Sequence, residues 1–161
     1  MIKIISDTGP ILHLHEISLI EILSIFHQII ISNLINSELN FYDINLSNKL
    51  NITIEDVDNF AIRDFTIPFK IHDPDKSVLI LAKKYQISLI ITDDLELRKA
   101  AEFSKIKVMG TVGILVKAFK KGVLSKNELF DNIDILFENS SLFTSRIFKD
   151  YVKNIIKKLM K

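Results

Sequence analysis

Apolar residues recur along this chain in two rhythms. Short continuous runs at Ile2–Ser6, Gln28–Ile31, Ser88–Thr92 and Lys107–Met109 have the length and β-branched content of strands buried on both faces. Between them, apolar positions return every three or four residues, as on a helix with one face against a core. Ile17, Leu19, Ile20, Ile22, Leu23 and Phe26 predict a helix between the first two strands, entered through a Thr8-Gly9-Pro10 turn. Ser32 or Asn33 is placed to cap a short helix carrying Leu34, Ile35 and Glu38. Ile52–Val57 reads as a further strand and Pro68 as an extended connection.

The second half has sharper boundaries. Asp73-Pro74-Asp75 opens a helix, with acids at the positive end of its dipole and proline in its first turn. Val78, Leu79, Leu81, Ala82 and Tyr85 form that helix's apolar face. A helix over Leu95–Phe103 follows the third run, and a Gly110-Thr111-Val112-Gly113 turn leads from the fourth into a helix through Lys121. Gly122 suits the end of that helix. Ser125 and Glu128 form a capping box for a helix through Phe137, and Thr144 or Ser145 caps a last one reaching Leu159. Strand and helix in alternation predict an α/β fold, a parallel sheet with helices on both faces. The 161 residues suit one domain, 1–161, with 125–161 as C-terminal helices packed on or appended to the core.

Composition narrows the chemistry. With no cysteine, disulfides, thiolate zinc sites and thiol nucleophiles are excluded, and a reducing compartment is expected. No apolar run approaches the ~18 residues of a membrane span, and the N-terminus reads as a strand rather than a signal peptide, so the chain is expected to be soluble and cytoplasmic. A net charge of +1 supplies no general attraction for nucleic acid. The four glycines, Gly9, Gly110, Gly113 and Gly122, build neither a dinucleotide turn nor a phosphate loop. His13 and His15 stand two residues apart, on different faces of a helix, and read as packing or surface residues rather than zinc ligands.

The acids are better placed. Ligands of an open parallel sheet bind beyond the carboxyl ends of its strands. Asp7 ends the first strand, Asp93 and Asp94 end the third run, Asp75 starts the preceding helix, and Glu38 closes the helix after the second strand. Taken singly, these residues are explained as helix caps, turn residues or solvated surface. Taken together, they converge on one edge, where like charges repel unless a cation neutralises them. Oxygen donors alone favour Mg²⁺ or Mn²⁺.

The same residues resemble a family. Ile4-Ile5-Ser6-Asp7-Thr8-Gly9-Pro10 is similar to the opening of PIN-domain proteins, in particular small prokaryotic ribonucleases of the VapC toxin type. Ser32-x-x-Ile35-x-x-Glu38-Leu39, Asp75-x-x-Val78, Leu89-Ile90-Ile91-Thr92-Asp93-Asp94-x-x-x-Arg98 and Val108-Met109-Gly110-Thr111-Val112-Gly113 follow in the family's order, out to about residue 122. One departure is Pro74-Asp75-Lys76-Ser77, where that branch reads G-E-x-E. The resemblance implies a three-layer α/β/α fold around a central parallel sheet, and a metal-dependent ribonuclease leaving 5′-phosphate and 3′-hydroxyl ends. It implies Asp7, Asp75 and Asp94 as ligands of Mg²⁺ or Mn²⁺, with Glu38 and Asp93 as ligands or as residues orienting water. The family's T-x-D pattern points to Asp94, the paired-Asp branch allows either, and both are kept. Arg98 and Thr8 are the candidates for contacting RNA, with Thr8 or Ser6 contributing a hydroxyl; a helix salt bridge with Asp94, four residues earlier, explains Arg98 equally well.

An RNA substrate (transfer, ribosomal or messenger), a protein antitoxin and a homodimer are the partners such a protein implies. Lys149, Lys153 and Lys157 recur every four residues on the last helix, a face open to RNA, an acidic partner or solvent. Two other classes compete. A receiver-like phosphoacceptor domain requires a lysine after the last strand, which Gly110-Thr111-Val112-Gly113 lacks. A catalytically silent PIN scaffold that binds RNA or protein keeps its place because of the altered third motif.

Overall fold

The computed structural model describes residues 2–46 and 51–159. The chain runs β1 (Lys3–Ser6), α1 (Thr8–Glu16), a 3-10 helix (Ile20–Ile25), β2 (Gln28–Ser32), α2 (Asn33–Phe41), β3 (Ile52–Glu55) and α3 (Asn59–Asp64). It continues through α4 (Asp73–Lys84), β4 (Leu89–Ile91), α5 (Leu95–Phe103), β5 (Lys107–Met109), α6 (Thr111–Lys120), α7 (Lys126–Asn139) and α8 (Arg146–Leu159). All strands are parallel, in the order β3-β2-β1-β4-β5. The first half of the chain builds outward from β1 in one direction and the second half in the other. The switch point therefore lies between β1 and β4, where Ser6 pairs with Ile91 and the Asp7 N–H donates to the Ile91 carbonyl at 3.0 Å.

The apolar runs are buried as their composition requires. Ile4, Ile5, Ile29, Ile30, Ile31, Ile90 and Ile91 lie in the core, against Val78, Leu79, Leu81 and Ala82 of α4 on the layer that crosses β1, β2 and β4. Tyr85, expected on the apolar face of α4, is instead partly exposed at its C-cap. Leu129, Ile133 and Leu136 of α7 and Val152 and Ile156 of α8 join the same core cluster.

Two predicted turns are instead the first turns of helices. α1 begins at Thr8, directly after Asp7, so Gly9 and Pro10 are helical. Proline is tolerated there because the first amides of a helix have no intrahelical acceptor to lose. The helix expected over Ile17–Phe26 is a 3-10 segment, separated from α1 by Ser18 at φ 56°. Likewise Gly110 is the N-cap of α6, and Gly113 lies inside it. α3 was not predicted; Asp58 caps its six residues by accepting from the Ala61 N–H at 2.7 Å.

Glycine scarcity leaves a mark at the helix ends. Gly122 takes the left-handed conformation after α6, but Ser18, Asp43, Gln86 and Lys105 take it after α1, α2, α4 and α5 without glycine's freedom. Gln86 and Lys105 are exposed. Gln86→Gly and Lys105→Gly are each expected to stabilise the fold by about 0.5 kcal/mol, the relief of side-chain strain net of the greater entropy of an unfolded glycine. Urea unfolding measures this, and a loss of stability in both variants contradicts it.

Candidate active site

The site is assembled where β1 and β4 end. Asp7 is buried and caps α1: Oδ1 accepts from the Thr8 N–H at 2.7 Å, and Oδ2 accepts from the Thr92 hydroxyl at 2.7 Å. Burial pushes its carboxyl up to a pKa of about 7; the bonds from Thr92 and Thr8 act against this, and the charges of Asp75 and Glu38 add to it. Asp75 sits in the first turn of α4, where Oδ2 accepts from the His72 N–H at 3.0 Å. Its carboxyl is also raised, chiefly by burial, against the His72 backbone bond and with the charges of Asp94 and Glu38 raising it further. Glu38, on α2, accepts a short hydrogen bond from the Thr8 hydroxyl. Asp94 caps α5 by accepting from the Leu97 N–H at 2.7 Å.

Asp7, Glu38, Asp75 and Asp94 therefore share one electrostatic neighbourhood, although they come from four separate segments. Asp93 faces elsewhere. Its Oδ1 accepts from the Thr111 N–H at 2.8 Å, and its Oδ2 accepts from the Thr111 hydroxyl and meets His13 Nδ1 at 2.7 Å. Burial raises the Asp93 carboxyl, but the bonds from His13 and Thr111 more than reverse this and leave it below the ordinary value. The paired acids differ in placement: Asp94 stands with the cluster, and Asp93 is turned toward α1 and α6.

The remaining candidates fall into place around this set. Thr8 holds Glu38, while the Ser6 hydroxyl donates to the Asp7 carbonyl. Arg98 does not pair with Asp94; its Nη2 donates to the Thr92 carbonyl at 3.4 Å. Ser77, at the position of the missing family acid, is buried and bonded to Ser32 at 2.6 Å, so it lies on the core side of α4. The lysine face of α8 is not a free stripe. Lys149 donates to the Phe137 carbonyl at 3.0 Å, and Lys153 pairs with Asp134 of α7.

His13, Thr92 and Thr111 were missed as site residues. Thr92 stood in the T-x-D pattern, but His13 offered only its position on the helix after Asp7, and Thr111 only its place after a strand end. Neither signal exists until the strand order puts β4 between β1 and β5.

The donor chemistry of the cluster suits a hard divalent cation, since its side chains offer carboxylate oxygens. Among the described residues, no three His, Asp or Glu side chains stand close enough together to hold an ion as they are oriented. Both oxygens of Asp7 and one each of Glu38, Asp75 and Asp94 accept hydrogen bonds from Thr8, Thr92, His72 and Leu97.

Comparison with known proteins decides the family. The model of the family described as DUF3368, PIN domain, matches residues 3–159. The chain belongs to the PIN-domain family. PIN domains are generally nucleases and typically use divalent metals. A PilT N-terminus domain protein from the hyperthermophilic archaeon Sulfolobus solfataricus shares the PIN fold with a TM-score of 0.51, at 13% identity, over 74% of this chain and 95% of that one. No curated protein matches this PIN domain. Among its described residues, no helix is long and apolar enough to cross a membrane.

Proposed function

We propose that this PIN domain is an Mg²⁺- or Mn²⁺-dependent endoribonuclease acting in the cytoplasm, the toxin of a toxin–antitoxin pair. The observation that carries the reading is Asp7: a carboxylate buried at the switch point, pushed to a pKa of about 7, beside two further acids. An acid so placed is destabilising unless a cation or a reaction makes use of it. Asp7, Asp75 and Asp94 would hold the cation, with Glu38 as a further ligand or as the residue that orients water. A bound divalent ion supplies an activated water and offsets charge on the phosphodiester. The chain's own work is positional: Thr92 and Thr8 fix the Asp7 oxygens, Thr8 orients Glu38, and Arg98, free of any carboxylate partner among the described residues, is available to a phosphate.

The apolar outer face of α8 supports a protein partner, an antitoxin or a second copy of the chain. Ile147, Phe148, Tyr151 and Leu159 are exposed there, beside a groove of about 760 Å³ that reaches Asp93 and Arg98.

The deciding experiment incubates the purified chain with transfer, ribosomal and messenger RNAs and Mn²⁺, beside Asp7→Asn. Cleavage with 5′-phosphate ends by the wild type alone is expected. A wild type that cuts none of them leaves the silent scaffold as the better reading, in keeping with the oxygens now engaged by local hydrogen bonds.

A further inference from the structure

We infer that Asp93 is a positioning residue, which with His13 and Thr111 locks the β4–α5 loop so that Thr92 and Asp94 are presented to the acidic cluster. The inference rests on the nuclease reading for its reaction, though not for its effect on cation binding.

The loop is three residues long, and its side chains alternate in direction. The Thr92 hydroxyl donates to Asp7 Oδ2 at 2.7 Å and accepts from the Asp94 N–H at 3.1 Å. Asp93, between them, is turned away and takes hydrogen bonds from two other elements. The backbone N–H and hydroxyl of Thr111 bring in the first turn of α6, and His13 brings in α1, the helix that Asp7 caps. An ionised carboxylate only accepts, so His13 carries its hydrogen on Nδ1. Both side chains are nearly buried, at 10% and 12% exposure, so these charge-assisted bonds meet little competition from water. One carboxylate thus ties together the segments that carry Asp7, Asp94 and Arg98.

Gly110 shows how closely the junction is packed. A Cβ there would stand 2.7 Å from Asp93 Oδ1 and 3.4 Å from Arg98 Nη2. Its φ of −91° is open to any residue, so glycine serves here to make room for the carboxylate. With its carboxylate held in this slot, the backbone at Asp93 is fixed, and with it the directions in which the adjoining Thr92 and Asp94 project. Groups that orient a ligand in this way typically alter metal affinity or activity 10–100-fold when removed.

The test uses the full chain and Mn²⁺ alone, by titration calorimetry at a temperature where every variant is folded. His13→Phe and Thr111→Val should each weaken Mn²⁺ binding about 10-fold or more, and slow single-turnover RNA cleavage by at least as much. His13→Asn should restore binding to within about threefold of wild type, because its amide nitrogen stands close to where the imidazole Nδ1 stood. Leu14→Ala, at a fully buried neighbour in α1, should lower the melting temperature and leave Mn²⁺ affinity unchanged. Wild-type affinity in His13→Phe overturns the inference, as does an equal loss in Leu14→Ala. A wild type that binds Mn²⁺ but cuts no RNA removes the nuclease reading and leaves the role of Asp93 to be judged on the affinities. A wild type that binds no Mn²⁺ removes both.

Discussion

Asp7→Asn is expected to raise the melting temperature of the cation-free protein at pH 8 by about 5–10 °C while abolishing RNA cleavage. Burial sets the Asp7 pKa at about 7, against 3.8 for the free side chain. Below pH 3.8 the carboxyl is protonated in both the folded and the unfolded chain, and the stability of the neutral form is fully present. As pH rises from 3.8 to about 7, the folded chain keeps a proton that the unfolded chain has already released, so stability falls across this interval and the loss is complete above it. A shift of this size is on the order of 4 kcal/mol. Asparagine keeps an acceptor for the Thr8 N–H and never ionises, so the variant escapes most of the loss but gives up the charged bond from Thr92. A net gain of roughly 2–3 kcal/mol corresponds to the quoted rise in melting temperature. Mg²⁺ or Mn²⁺, binding the folded state alone, should stabilise the wild type and not the variant. Cation affinity should also grow as pH approaches 7, because proton and metal compete for one carboxylate. A variant less stable than wild type at pH 8 without cation would show that the buried charge is compensated by another route.

The second large effect separates two roles of one residue. Asp94 caps α5 and also belongs to the acidic cluster. Asparagine caps a helix about as well as aspartate, so Asp94→Asn should change stability by less than about 0.5 kcal/mol. It removes the charge, however, and cleavage should fall at least about 100-fold. Asp94→Ala should lose the same activity and a further ~1 kcal/mol of stability with the cap. Unfolding curves and cleavage rates for the pair distinguish the roles. If Asp94→Asn cuts RNA at the wild-type rate, Asp94 is a cap and nothing more.

Much of this arrangement was legible because local signals and tertiary demands agreed. Leu95–Phe103 and Lys107–Met109 read from the sequence with the bounds they have in the fold, the helix because it is periodic and lies between the polar Asp94 and Ser104, the strand because Gly110 ends it before the next helix. The Ser125–Glu128 box is present, with Ser125 N–H donating to Glu128 at 2.7 Å. Thr8-Gly9-Pro10 misled because the residues that make a turn also open a helix, and the apolar Ile11, Leu12 and Leu14 after them settle it as a helix. α3 is too short for periodicity to register. The acids could be placed from the sequence because strand ends and helix starts are local features. The opposite orientations of Asp93 and Asp94 were not legible, because the partners of Asp93 are Thr111, 18 residues away, and His13, 80 residues away.

The switch point also determines when the site can exist. Asp7 and Glu38 belong to the half of the chain that forms β1, β2 and β3, and Asp75 and Asp94 to the half that adds β4 and β5. Thr92, which fixes Asp7, is 85 residues further along the chain. A ribosome releases the first half before the second, so a nascent chain holds Asp7 at the bare edge of β1, without the neighbour that orients it. The four acids therefore come into their shared arrangement only when β4 docks beside β1. Unfinished or truncated copies that end before residue 92 carry acids but no working arrangement of them. On the nuclease reading proposed above, such a topology withholds the arrangement until more than half of the chain has been made.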